Sequence, residues 1–298
     1  MTFRVERLEE TALSQARVLL DRASAWDPSG DVAEEKLFGG YPQEVPGGAL
    51  GAWEGNELVG VIAFAGRWIR VLAVKAEQRG LGVGSALLEQ ALENARNRGD
   101  KVLRTGDQPG NYLSPGIDAR DTAFMNWFER RGFRRVARNE NLEVQLVGNP
   151  LVTIESARAA TKQARERGYE IRRILDDERV MLTRWISEHF SPAWAFEVRR
   201  AAQRTPAAVH VARWHGEFVA FAAHDGNNSG RGSFGPAGTL DSQRGAGLGR
   251  ALLLRCLVDV ARAGLVECSI AWIGPRAFYE RTVGVTTGRT LVVLERAL

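Results

Sequence analysis

Apolar residues recur along this chain at two spacings, and the same succession of spacings is read twice. Between Thr11 and Ala25, Leu13, Ala16, Leu19 and Leu20 fall on one face of a helix. Gly51–Trp53 and Leu58–Ala65 are strand-length runs around the turn Glu54-Gly55-Asn56, and Ile69–Val74 is a further strand. A helical pattern from Gly82 to Arg98 stops at Gly99, a residue suited to a C-cap. Lys101–Thr105 then reads as a strand, Thr122–Arg131 as a helix, and Arg134–Leu146 as one or two strands. Phe3–Leu8 is the opening strand, and Ser29–Gly48, rich in Gly, Pro and acidic residues, is expected to be loop with one short helix. The order returns in the second half. The expected strands there are Glu170–Leu175, Ala208–Trp214, Glu217–His224, Gly232–Thr239, Val266–Trp272 and Thr290–Glu295, with helices at Arg179–His189, Ala195–Gln203, Gly247–Ala263 and Arg276–Thr282.

Local sequence repeats with the pattern. Gln78-Arg79-Gly80-Leu81-Gly82-Val83-Gly84-Ser85-Ala86-Leu87-Leu88 reappears as Gln243-Arg244-Gly245-Ala246-Gly247-Leu248-Gly249-Arg250-Ala251-Leu252-Leu253, with eight of eleven positions identical at an offset of 165. Phe3–Leu8 aligns with Tyr169–Ile174, and Trp127-Phe128-Glu129-Arg130 with Phe278-Tyr279-Glu280-Arg281. So long a period indicates a duplicated domain rather than a solenoid, whose repeats run to roughly 20–50 residues. A chain of 298 residues also suits two domains. The expected division is a first domain over 1–148, a linker helix within 149–168, polar and poor in apolar residues, and a second domain over 169–298.

Composition narrows the class. Hydrophobic residues make up 44% and charged residues 26%, as in ordinary folded chains. Forty basic residues stand against 36 acidic ones, and no Lys/Arg block of nucleic-acid type occurs, so no nucleic-acid partner is expected. A mildly basic pocket for a small polyanion accounts for the excess. Cys256 and Cys268 lie in apolar segments and are expected to be buried reduced thiols, with one disulfide as the alternative. The N-terminus shows no apolar signal region and no run of about 18 apolar residues exists, which points to the cytoplasm and away from a membrane.

The glycine loop carries the chemistry. Each copy follows an extended stretch and runs into a helix, so backbone N–H groups and the positive end of a helix dipole converge on one spot, an anion site. A tight strand-to-helix turn would explain one copy, but two with the same Arg lead-in ask for more. A dinucleotide site needs G-x-G-x-x-G in the first strand–helix unit, and a Walker loop needs Gly-Lys-Ser/Thr; spacing excludes both. Arg79-Gly80-Leu81-Gly82-Val83-Gly84 and Arg244-Gly245-Ala246-Gly247-Leu248-Gly249 resemble the pyrophosphate motif of the GCN5-related N-acetyltransferase (GNAT) family, [Q/R]-x-x-G-x-[G/A]. The resemblance covers nearly the whole chain. It implies an α/β (α+β) fold of two tandem domains, each a mixed, mostly antiparallel twisted sheet flanked by helices, with splayed fourth and fifth strands.

The resemblance further implies that acetyl-CoA is a co-substrate lying in that gap, with no metal. Main-chain amides of Arg79, Gly80, Leu81, Gly82, Val83, Gly84 and Ser85, and of Arg244, Gly245, Ala246, Gly247, Leu248, Gly249 and Arg250, would hold the diphosphate. Pantetheine would pair with Val71–Val74 and Pro236–Thr239, which makes Val74 and Thr239 contacts. Direct attack by a neutral amine in a ternary complex needs a backbone N–H for the oxyanion, a base for the amine and an acid for the departing thiolate. Alignment of two bound reactants supplies the main gain.

The family's thiolate-protonating residue is frequently a Tyr on the helix after the fifth strand. Tyr279 occupies that place in the second half and Phe128, which cannot donate a proton, in the first. The second domain is therefore expected to catalyse. Asp225, beside His224, and Glu188, beside His189, are candidate bases, with Glu197 close by. From the motif Arg to the aligned aromatic there are 49 residues in the first half and 35 in the second. The Pro/Gly-rich insertion 107–120 accounts for the difference and is placed to shape a substrate pocket or to remain a plain surface loop. Its segment Asn-Tyr-x-x-Pro-Gly-Ile-Asp is similar to one in tandem acetyltransferases acting on glucosamine and glucosaminides. The expected function is an acetyl-CoA-dependent N-acetyltransferase for a primary amine of a small molecule, with an amino sugar as candidate, acting as monomer or homodimer. The alternative is a catalytically silent CoA-binding sensor or scaffold.

Overall fold

The computed structural model describes residues 3–42, 44–284 and 287–298. Gln43, within the segment expected to be loop, and the first two residues, within the expected signal-free start, lie outside them. The chain divides into two compact units, one of residues 1–139 with 290–298 and one of residues 140–289. These bounds differ at their ends from the contiguous halves expected from the repeat. The period-2 apolar pattern of a strand says that it joins a sheet but not which one.

In the first unit β1 (Arg4–Arg7), β2 (Gly47–Glu54), β3 (Glu57–Ala65) and β4 (Trp68–Val74) form an antiparallel run, and β5 (Val102–Thr105) adds in parallel to β4. α1 (Leu13–Ala23) and α2 (Ala33–Leu37) cover one face, where Leu19, Leu20 and Leu37 pack against Val61, Val71 and Ala73. α3 (Val83–Arg98) and α4 (Thr122–Glu129) cover the other, burying Leu87, Leu92, Met125 and Phe128 with Ile62 and Leu103. Burying such side chains stabilises by ~1.5–3 kcal/mol each. A two-residue strand unmarked in the sequence, β6 (Ile117–Asp118), lies between β5 and α4. β7 (Arg134–Gln145) then carries the chain into the second unit at Glu140.

The segment expected to be a linker contains α5 (Ile154–Glu166), opened by a Thr153 side chain that accepts from Ser156 N at 3.0 Å. It is a packed member of the second unit. Ala157, Ala160, Thr161 and Ala164 are buried at helical spacing, and side chains this small let it lie close to its neighbour. β8 (Glu170–Arg173), α6 (Arg179–His189), α7 (Pro192–Ala202), β9 (Val209–Trp214), β10 (Glu217–His224) and β11 (Phe234–Thr239) follow. After α8 (Leu248–Arg262) come β12 (Glu267–Ile270), α9 (Arg276–Val283) and β13 (Thr287–Ala297). β8 to β11 are antiparallel neighbours and β12 joins β11 in parallel.

Each fifth strand takes its outer partner from the other half of the sequence. β5 pairs with the end of β13, Arg104 opposite Glu295, and β12 pairs with the end of β7, Cys268 opposite Val144. Arg104 strengthens the first pairing by binding Glu295 at 2.7 Å. Cys256 and Cys268 are buried free thiols, their pKa values raised by burial. Among the described residues no helix is long and apolar enough to cross a membrane.

Candidate active site

Both glycine loops adopt the conformation that the sequence asks for. Gly82 (φ 91°) and Gly247 (φ 83°) are left-handed N-caps of α3 and α8, which L side chains rarely tolerate. The first intrahelical bonds are Ala86 N to Gly82 O at 3.0 Å and Ala251 N to Gly247 O at 3.2 Å. The N–H groups of residues 83–85 and 248–250 therefore have no acceptor within their helices and point outward. Two positive charges stand by these amides. Arg131, which the sequence reading missed, donates to Ser85 Oγ at 2.7 Å and stacks over Trp127 at 3.9 Å. In the second unit Arg250 occupies the place aligned with Ser85. The third glycines are close to the aligned aromatics: a Cβ at Gly84 would sit 3.3 Å from Trp127, and one at Gly249 would sit 3.4 Å from Phe278.

Beyond each loop the parallel strands part. β4 is opposite β5 only at Trp68 and Ile69, and the last bond is Gly106 N to Ile69 O at 2.8 Å. β11 meets β12 only at Phe234, opposite Ile270. Lys75 N bonds Val59 O and Leu240 N bonds Val219 O, both at 2.9 Å, so strand alternation turns the main-chain groups of Val74 and Thr239 away from those partners and into the opening. An unpaired strand edge is a ready partner for an amide-bearing chain.

In the first unit the opening is a cleft of about 310 Å³. Gly80, Gly84 and Val74 form one end, and Phe124, Trp127 and Phe128 of α4 form a wall. Trp26, Asp27 and Ser29, from the connection after α1, face Ser114, Gly116 and Asp118 of the insertion. The insertion is thus a cleft wall. It is fixed by Asn111, fully buried, whose Nδ2 donates to Gly40 O at 2.8 Å, Glu35 O at 3.2 Å and Gly39 O at 3.3 Å. Its Oδ1 accepts from the fully buried Lys36 Nζ at 3.0 Å, and Lys36 also pairs with Glu35 at 2.6 Å. The insertion re-enters the sheet where Gly116 lies so close to Val292 that a Cβ there would come within 2.9 Å of its backbone. Asp118 is buried and held by Arg120 Nε at 2.9 Å and Nη2 at 2.8 Å, while the Arg120 guanidinium lies 4.1 Å from the centre of the Trp26 ring. Ser114 Oγ donates to Asp27 Oδ1 at 2.9 Å.

The residues singled out in the second unit occupy separate places. Tyr279 packs half-buried on the core of its unit, edge-on to Phe278 at 5.1 Å, and burial raises its hydroxyl pKa. Its counterpart Phe128 is a core residue between Phe124, Trp127 and Phe133. Asp225 is buried and accepts from Gly232 N at 2.8 Å and Gly230 N at 3.1 Å, closing its own loop; burial pushes its pKa up, but His224 and these amides outweigh that and lower it. Glu188 is exposed and bonded to Arg184 at 2.7 Å. Glu197 is buried in α7. No hydrogen bond or ion pair among the described residues joins Tyr279, Asp225 and Glu188. Trp185 and Trp194 ring Phe190 and Phe221, and the Phe190 ring fills the space over Gly238 in β11.

Below this wall lies a buried polar cluster that the sequence did not announce. Asp259 Oδ2 accepts from Arg173 and from His210 Nε2, both at 2.6 Å, and His210 Nδ1 accepts from Arg255 at 3.0 Å. Burial lowers the His210 pKa to about 4 despite Asp259. Among the described residues no group of His, Cys, Asp and Glu has the arrangement of a metal site.

Comparison with known proteins agrees with the fold. The model of the acetyltransferase (GNAT) family matches residues 15–114. A GCN5-related glucosamine N-acetyltransferase region in a fungal multi-domain GH3 β-N-acetylglucosaminidase aligns with 99% of this chain at TM-score 0.75 and 18% identity, this chain covering 38% of that one. A GCN5-related N-acetyltransferase from Sphaerobacter thermophilus gives TM-score 0.69 at 16% identity, over 99% of this chain and 95% of its own. A tandem GNAT protein from the clavulanic acid biosynthesis pathway gives 0.69 at 17%, over 99% and 98%. At these identities the likeness is one of fold. Comparison with curated protein sequences finds no match.

Proposed function

Because the chain has the fold of tandem GNAT proteins and its residues 15–114 match the GNAT acetyltransferase family model, we propose that it transfers an acetyl group from acetyl-CoA to a primary amine of a small molecule. The observation that carries this reading is the cleft of the first unit. It runs from the amides of the glycine loop, along the unpaired edge of β4, to a chamber walled by aromatic rings and carboxylates. The loop and Arg131 hold the diphosphate, Val74 pairs with pantetheine, and the thioester reaches the chamber. Both oxygens of Asp118 are taken up by Arg120, so the role of base is assigned to Asp27, which receives the amine's proton as the N–C bond forms. The collapsing intermediate then expels CoA as the thiolate, which takes its proton from solvent because Phe128 offers none, and alignment of the two substrates supplies most of the rate. An amino sugar is the candidate acceptor. Trp26 offers a face for a sugar ring, the insertion carries Asn111-Tyr112 and Pro115-Gly116-Ile117-Asp118, and the fungal neighbour is described as a glucosamine N-acetyltransferase region.

The second unit keeps a complete loop, so we assign it a second acetyl-CoA site. Tyr279 is assigned as the thiolate-protonating acid of that unit: a phenol is protonated at neutral pH, and burial raises its pKa further. The test is release of free CoA thiol when acetyl-CoA and an amine panel are mixed with the protein. Amine-dependent release of CoA supports the reading. Binding of acetyl-CoA without release across sugars, polyamines, amino acids and peptides would replace it with the silent sensor.

A further inference from the structure

Arg70 interrupts the apolar run of β4. It sits at a bulge, since Ile69 is opposite Phe64 and Val71 opposite Ala63 with Arg70 between them. The second unit builds the equivalent irregularity in β11 with Gly235-Pro236, which carries no cation. Arg70 lines the cleft of the first unit yet is only 4% exposed. Nη1 donates to Gly39 O at 3.1 Å and the guanidinium lies 5.3 Å from the centre of the Tyr41 ring. Nε is buried without a hydrogen-bond partner, and no carboxylate among the described residues forms an ion pair with it. Glu35, whose field reaches Arg70, is already engaged by Lys36 at 2.6 Å. Burial lowers the Arg70 pKa to about 10, which leaves the group charged at neutral pH.

A buried cation with no ion-paired carboxylate is costly, because its lost hydration is only partly replaced. The planar guanidinium fork is suited to an anion with several oxygens. The cleft thus offers carboxylates at Asp27 and Asp118 and, on the same strand that meets the thioester, a cation. Resting on the proposed transfer reaction, we infer that the acceptor is an amine that also bears an acidic group, a carboxylate, sulfate or phosphate, which Arg70 binds while the amine lies by Asp27. An uncharged amino sugar leaves Arg70 unanswered.

The test compares glucosamine with its 6-phosphate, its 6-sulfate and the carboxylate-bearing muramic acid, which separates the three acids. Steady-state rates are taken for the native protein, Arg70→Gln and Arg70→Lys. At least one acidic acceptor is expected to exceed glucosamine by ~10-fold or more in kcat/KM, the worth of a hydrogen bond to a charged group. Arg70→Gln should cut that preference to within about twofold through the acceptor KM, leave the KM of acetyl-CoA alone, and be partly rescued by Arg70→Lys. Calorimetric binding of the same four compounds to the CoA complex gives a readout independent of turnover, and the native protein alone decides it if Arg70→Gln does not fold. Equal binding of acidic and neutral compounds, or a preference that survives Arg70→Gln, overturns the inference. Preferential binding of an acidic compound with no release of CoA supports the Arg70 site and instead refutes the transfer reaction.

Discussion

Replacing Asn111 by Ala tests whether the insertion is a built wall or a surface loop. The side chain is fully buried and makes one hydrogen bond to the Lys36 ammonium and three donations to the carbonyls of Glu35, Gly39 and Gly40. A bond to a charged group contributes ~1.5–3 kcal/mol, and a neutral bond ~1 kcal/mol. All three donations come from one N–H₂ group with two hydrogens, and two of them are 3.2 Å or longer, so they count for less than three separate bonds. The expected loss is ~3–5 kcal/mol, a large share of the ~5–15 kcal/mol that holds a typical domain. Urea unfolding followed by tryptophan fluorescence reads this loss. Asn111→Asp keeps an acceptor for Lys36 while setting a carboxylate against three carbonyls, and should fall at least as far. In the folded fraction the acceptor KM should rise while the KM of acetyl-CoA stays put, because Asn111 holds one wall and the glycine loop holds the other end. A change below ~0.5 kcal/mol with an unaltered acceptor KM would show that the insertion merely lies on the surface.

The remaining predictions concern the loops, the tyrosine and the buried histidine. Gly82→Ala and Gly247→Ala meet no neighbour within 4 Å but force an L residue to positive φ, so each should cost ~1–2 kcal/mol and weaken acetyl-CoA binding in its own unit, read by calorimetry. Should either bind as tightly as the native chain, that loop does not grip the diphosphate. Tyr279→Phe should reduce any turnover by the second unit well beyond its effect on acetyl-CoA affinity; unchanged thiol release in a chain also carrying a disabled first loop would remove Tyr279 from the chemistry. His210 has its pKa depressed to about 4. As pH falls from ~6.5 towards 4 the unfolded chain takes a proton that the folded chain refuses, so stability drops by about 3 kcal/mol over that window. His224, its pKa raised by Asp225 and Asp259 against the effect of burial, contributes below ~6.5 and loses its effect as pH rises, outside that window. Thermal melts from pH 7 to 4.5 should therefore slope less in His210→Gln, and equal slopes would contradict the assignment.

Much of the scaffold was legible because its signals are local. α6 and β10 match the expected ranges residue for residue, and Gly99 caps α3 as its position suggested, with N–H bonds to Ala95 and Arg96. The glycine loops were legible because glycine takes most readily the positive φ that their turns impose. What escaped was non-local. Nothing in Glu295-Arg296-Ala297 says that the last strand belongs with β5, and two residues of β6 are too few to show a period. The helix 154–166 looked like a linker because alanine is a weak hydrophobic signal, although small side chains are what close packing needs. The cleft brings Trp26, Asp27 and Ser114 together across a long separation, which no spacing rule reveals. Two clues were present all the same: a charge at Arg70 inside an apolar strand, and Arg131 directly after a helix whose aromatics face the glycine loop.

A crystal structure of the protein with acetyl-CoA would decide where the thioester lies. The diphosphate is expected on the amides of residues 80–85, pantetheine along Val74, and the acetyl carbon in the chamber between Asp27 and Ser114. A first-unit cleft left empty at saturating acetyl-CoA, or a ligand whose thioester points away from that chamber, would contradict this placement.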